Sequence, residues 1–96
     1  MIEHRQIQIG DRAVEALAFS LTGKNLIVLR GSRGYVMCGY LNLAAAEKFG
    51  DAAVMITGVA TIDGALKAQV ASCTSRAKDL GVAEGQSIQD VLKIIA

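Results

Sequence analysis

Ninety-six residues and 10.1 kDa leave room for one domain, residues 1–96, with no composition shift or linker to divide it. Apolar residues make up 52% of the chain and charged residues 20%, which excludes a disordered chain. Ten basic against nine acidic residues give a net charge of +1, so the balance favours neither nucleic acid nor an anionic membrane surface.

No proline occurs, so Gly, Asn and Asp punctuate the chain. Ile7 and Ile9 alternate with Gln6 and Gln8, which predicts a half-buried strand over Ile2 to Ile9. Gly10-Asp11 suits a type II′ hairpin turn, because Gly supplies the positive φ at its first central position. The next strand, Ala13 to Leu21, carries Leu17, Phe19 and Leu21 on one face and Val14, Ala16 and Ala18 on the other, the pattern of a strand covered on both sides. Thr22-Gly23-Lys24-Asn25 reads as a second turn, Leu26 to Leu29 as an apolar strand, Gly31 to Gly34 as a third turn and Tyr35 to Cys38 as a fourth strand. Residues 1–40 are thus a β-rich antiparallel meander.

The second half changes character. Asn42 caps a short helix through Phe49, with Gly50 in the left-handed stop position, and Ala52 to Thr57 forms a fifth strand. Thr61 is an N-cap with Asp63 in the first turn. Behind it Ile62, Leu66, Val70, Cys73, Ala77 and Leu80 step by 4, 4, 3, 4 and 3 up to Gly81. That stripe fits one 19-residue helix, or two helices with a break near Ala71, because Ser72, Thr74 and Ser75 compete for backbone hydrogen bonds. Ser87 and Asp90 cap the last helix, whose Val91, Leu92 and Ile95 face inward. The order predicts an α+β fold: an N-terminal antiparallel meander, then helix, strand and C-terminal helices.

Fifteen Ala and 10 Gly, with aromatics at only 4%, make a thin core for a domain that hides only ~60–65% of its unfolded surface. The mean hydropathy of +0.39 then predicts apolar surface buried against another copy. Val14, Ala16, Ala18 and Ser20 are small enough for a second sheet to pack on them; the alternative is that the later helices cover this face within one chain. The longest uncharged run, Gly34 to Ala46, has 13 residues and is too short to span a bilayer. Glu3, His4 and Arg5 stand where a signal peptide needs an apolar run, so a cytoplasmic location with reduced thiols is expected. One His and two Cys, 34 and 35 residues apart, match no zinc spacing, and no metal or cofactor is expected.

Several segments follow one another in a familiar order. They are Lys24 to Leu29, Arg33-Gly34-Tyr35-Val36-Met37-Cys38-Gly39-Tyr40-Leu41, Thr61-Ile62-Asp63, and Ala77 to Val82 with Glu84-Gly85 behind it. Together they resemble the YunC-like family of small bacterial and archaeal domains of unknown function, over nearly the whole chain. The resemblance implies an α+β domain that forms a homotetramer through its β-rich N-terminal part. It implies no activity, cofactor or catalytic residue. Gln69-Val70-Ala71 departs from the family pattern, which carries a helix-breaking proline there.

Cys38 is the sharpest chemical candidate. It ends a strand, precedes Gly39 and lies just before the helix capped by Asn42, where a helix dipole favours a thiolate, with Arg30 and Arg33 near in sequence. Against a nucleophile elbow, Val36 stands where the first Gly is needed; free cysteines are also among the most often buried residues. Gly31 to Gly34 is a second candidate: its amides and Arg33, with Gly34 and Tyr35 following, suit a small anionic ligand, although a hairpin turn with a solvated Arg has the same sequence. Thr61 and Asp63 could bind a ligand or orient Cys38, but they are equally a helix cap and its dipole partner. Tyr35 and Tyr40 flank Cys38 and suit either a pocket or a subunit contact. Cys73 reads as core, His4 as surface, and Arg76 with Asp79 as a solvated pair. The leading expectation is an oligomeric small-ligand-binding or structural module. The alternative is a thiol enzyme or sensor with Cys38 as nucleophile, Arg33 as anion anchor and Asp63 as orienting group.

Overall fold

The computed structural model describes residues 2–39 and 42–96. Six strands form one sheet in the order β1-β2-β3-β4-β5-β6. They are β1 (Ile2–Ile9), β2 (Arg12–Leu21), β3 (Lys24–Arg30), β4 (Tyr35–Met37), β5 (Ala53–Met55) and β6 (Ser72–Cys73). The first four run antiparallel, β5 joins β4 in parallel, and β6 closes the order antiparallel to β5. The helices are α1 (Leu43–Phe49), α2 (Ile62–Leu66), α3 (Ser75–Asp79) and α4 (Ile88–Ile95). The α+β class and the strand-rich N-terminal half are as predicted.

Local chemistry sets most element boundaries. Gly10 has φ 64° in the two-residue β1–β2 loop, and Asp11 does not share the positive φ, as a type II′ turn requires. Asn42 accepts from the Ala45 amide and Gly50 ends α1 at φ 77°, ψ 20°, so both predicted ends of this helix hold. Thr61 caps α2 and Ser87 caps α4. The second turn is shorter than expected: Lys24 and Asn25 already pair with Leu21 and Ser20, so β3 begins two residues early.

The 62–80 stripe is two helices rather than one, and the break between them runs from Lys67 to Thr74 and contains Ala71, wider than the stripe suggested. Helix α2 stops at Leu66 because the next backbone groups find partners elsewhere. The Val70 amide donates to Gln86 O at 2.9 Å and the Ala71 amide to Met55 O at 2.9 Å, bonds that a helix cannot make. The chain then enters β6, which the stripe did not predict, and restarts as α3 at a Thr74 cap. Ile62, Val70, Cys73 and Ala77 are nevertheless buried, so the stripe marks the core correctly while misassigning the backbone.

The two sheet faces differ sharply. Ala16, Leu29, Val36, Val54 and Cys73 are register partners across five strands, and all are buried. They share one cluster with Ile62 and Ala65 of α2, Ala77 of α3, and Ile88, Val91, Leu92 and Ile95 of α4. The expectation that Val14, Ala16 and Ala18 face a second subunit is therefore corrected: the C-terminal helices bury them within one chain. The opposite row, Leu17, Val28, Met37 and Met55, is only half-buried. Beside it Phe19 and Leu21 are 41% and 39% exposed.

Candidate functional site

The short strand β4 separates the sequence-predicted site residues. At its C-terminal end Cys38 and Gly39 line a hollow of about 440 Å³ with Lys24, Asn25, Gly58 and Val59. The Cys38 side chain belongs to the core, and the residue is only 5% exposed. Its sulfur accepts from the Ile27 amide at 3.5 Å and donates to Asn25 O at 3.9 Å, while its own amide donates to Ile27 O at 3.2 Å. Thiol and backbone alike are tied to β3. Gly39 has no close neighbour in the space a Cβ would take, so no tight approach explains it. Tyr40 lies outside the described residues.

At the N-terminal end of β4, Arg33, Gly34 and Tyr35 line a second hollow, of about 310 Å³, together with Arg30, Asp51 and Arg76. It forms where the β3–β4 turn docks on the end of α4: the Arg33 amide donates to Ile95 O at 2.9 Å and Ser32 Oγ to Ala96 O at 2.7 Å. These donors satisfy carbonyls that a helix C-terminus leaves open. Tyr35 Oη donates to Asp51 Oδ2 at 3.0 Å. Burial first, then that hydrogen bond and the carboxylate charge, push the phenol above its ordinary 10.0, so it remains a donor at neutral pH.

Thr61 and Asp63 occupy a third place. Thr61 Oγ1 accepts from the Gly64 amide at 2.9 Å, and Asp63 pairs with Arg5 at 3.0 Å across to β1. The hollow lined by Cys38 includes neither Arg33 nor Asp63. The nucleophile, anchor and orienting group of the thiol mechanism do not converge. Arg76 also departs from expectation, because it makes no ion pair with Asp79 and instead lines the second hollow with Arg33. Sequence reasoning did not join Arg33, Asp51 and Arg76. They lie 18 and 25 residues apart, and only the docking of α1, α3 and the β3–β4 turn brings them together.

Both thiols should therefore resist alkylation in the native protein. Burial raises the Cys73 pKa above its ordinary 9.0; Lys78 opposes this and Glu84 adds to it. A group held protonated in this way adds stability below its unfolded pKa and loses it as pH rises through the folded one. Iodoacetamide labelling of Cys73→Ser and Cys38→Ser single-thiol variants should be slow at pH 7 and become fast in denaturant. Rapid labelling of native Cys38 would restore it as a chemical site.

A mixed six-stranded sheet with α2, α3 and α4 packed in one core against it, and with Cys38 and Arg33 lining different hollows, defines a small α+β domain. Residues 37–95 match the family described as a domain of unknown function, DUF1805, and the chain belongs to that YunC-like family. It is 32% identical over 96 residues to the uncharacterized protein YunC of Bacillus subtilis, covering 96% of this chain and 95% of that one. The crystal structure of TA1206, a protein of unknown function from Thermoplasma acidophilum, superposes with a TM-score of 0.95 at 33% identity. The match covers 100% of this chain and 94% of the other.

Proposed function

We propose that this protein is a cytoplasmic homo-oligomeric module that binds a small ligand, assembled as a tetramer through the open face of its N-terminal sheet. The observation that carries the assembly is the row Leu17, Val28, Met37 and Met55, flanked by Phe19, Leu21 and Ile2, with no helix of the main core over it. A contiguous apolar face on a monomer is unusual, and a second sheet packing at ~10 Å would bury it. The family resemblance points to the same N-terminal region. Free Cys38 and Cys73 suit a reducing compartment. Among the described residues no helix is long and apolar enough to cross a membrane. Binding stands ahead of thiol catalysis because the Cys38 sulfur is buried and bonded to β3, and neither Arg33 nor Asp63 lines its hollow.

Sedimentation of the native protein should give four times the protomer mass of 10.1 kDa. Leu17→Lys combined with Val28→Glu places opposite charges on neighbouring register partners, so the sheet pairing itself is supported while the face becomes polar. That variant should sediment as a folded monomer. A native monomer, or a variant that keeps the native mass, would overturn the assembly.

A further inference from the structure

We infer that the hollow at the β3–β4 turn is an oxyanion site that takes the phosphoryl group of a small phosphate or phosphomonoester through Arg33 and Arg76. Three arginines, Arg30, Arg33 and Arg76, line this hollow against one carboxylate, Asp51. Arg30 is already committed, bonding Glu15 at 2.6 Å. Arg33 and Arg76 make no ion pair and no side-chain hydrogen bond among the described residues. Two such groups from distant parts of the chain, gathered at one depression in a protein of net charge +1, form a local positive field that a ligand anion would neutralise.

The chemistry of the group narrows the ligand. A guanidinium offers a planar fork of donors to paired oxygens, and two forks on separate elements can engage different oxygens of one tetrahedral anion. A carboxylate has only two oxygens for the same donors. Ser32 and Gly34 also line the hollow, and their amides make no hydrogen bond among the described residues. At about 310 Å³ the hollow sits at the small end of the range for ligand pockets, which fits a phosphoryl group with a short substituent. Ser32, Arg33, Gly50 and Arg76 are exposed, so a ligand can enter without any element moving.

The test is amide NMR titration of the full chain with inorganic phosphate, glycerol 3-phosphate and succinate, each against potassium chloride of matched ionic strength. Phosphate or its monoester should give saturable shifts at Ser32, Arg33, Gly34 and Asp51. If only the monoester saturates, the substituent is part of recognition; if both do equally, the phosphoryl group suffices. Arg33→Ala with Arg76→Ala should weaken binding by ~10-fold or more, as expected for lost charge-assisted bonds. Arg33→Lys, which keeps charge without the fork, should fall between. Both arginines are exposed, so the variants should retain the native melting temperature. Shifts no larger than those of chloride, unchanged affinity in the double variant, or tighter succinate than phosphate would overturn the site. The readout is independent of assembly mass, so failure here and failure of the tetramer are separate results.

Discussion

Gly31→Ala should lower stability by about 3–5 kcal/mol and the melting temperature by roughly 20 °C, even though it adds one methyl group to a turn. A Cβ at Gly31 would overlap the Ile95 carbonyl oxygen and stand 2.6 Å from the Ile95 carbonyl carbon and 2.9 Å from Ala96 Cα. These are backbone atoms at the end of α4, whose Ile88, Val91, Leu92 and Ile95 are fully buried, and they cannot swing aside as a side-chain tip would. Relief requires the turn to lift, which breaks the Arg33 amide bond to Ile95 O and the Ser32 bond to Ala96 O as well. Gly39→Ala is the matched control, because nothing lies within 4 Å of the place its methyl group would take and its φ is not positive. It should melt within a few degrees of the parent. Thermal scans at one fixed protein concentration compare the two, since assembly makes melting concentration-dependent. If Gly31→Ala melts like Gly39→Ala, the close approach of turn and helix is wrong.

Gly31 was legible as a turn residue but not as a packing residue, and the difference is general to this chain. Gly10, Asn42, Gly50, Thr61 and Ser87 act on backbone groups within four residues, so their roles can be read from short segments. Strand β6 cannot be read this way. Ser72 and Cys73 have no strand pattern of their own and are extended only because Met55 and Val54 offer them an edge. The same holds for the orientation of β2. Both of its faces are apolar, so the choice between burying Ala16 and burying Leu17 rests with helices more than forty residues later in the chain.

The candidate site divides along the same line. Cys38, Arg33 and Asp63 each have a convincing local context, and sequence proximity suggested a direct action of Arg33 on Cys38. An extended strand advances about 3.3 Å per residue, so five residues carry Arg33 to the opposite end of β4 from the thiol. Nearness along a strand separates side chains rather than gathering them. What gathers them is docking, and it joined Arg33 to Arg76, which local spacing had assigned to Asp79.

Thr74→Val should cost about 2–4 kcal/mol and weaken phosphate binding, whereas Thr74→Ser should do little of either. Thr74 is the buried polar residue among the described ones, only 1% exposed, and its hydroxyl uses all of its hydrogen-bonding capacity. It donates to Asp51 O at 2.6 Å and accepts from the Ala53 amide at 3.0 Å and the Ala77 amide at 3.3 Å. One oxygen thus caps α3, fastens the start of β5 and holds the loop that carries Asp51. Valine matches the shape but leaves a carbonyl and two amides without partners in a place water does not reach, and that desolvation penalty exceeds the net worth of the bonds themselves. The functional consequence follows from position. Asp51 precedes β5 and Arg76 sits in the first turn of α3, so loosening Thr74 lets the carboxylate and one guanidinium of the hollow drift apart. Denaturant melts and phosphate titrations on Thr74→Val and Thr74→Ser separate the two effects. Loss of stability with unchanged phosphate affinity would confine Thr74 to the fold, and a Thr74→Val protein as stable as its parent would refute the hydroxyl's triple role.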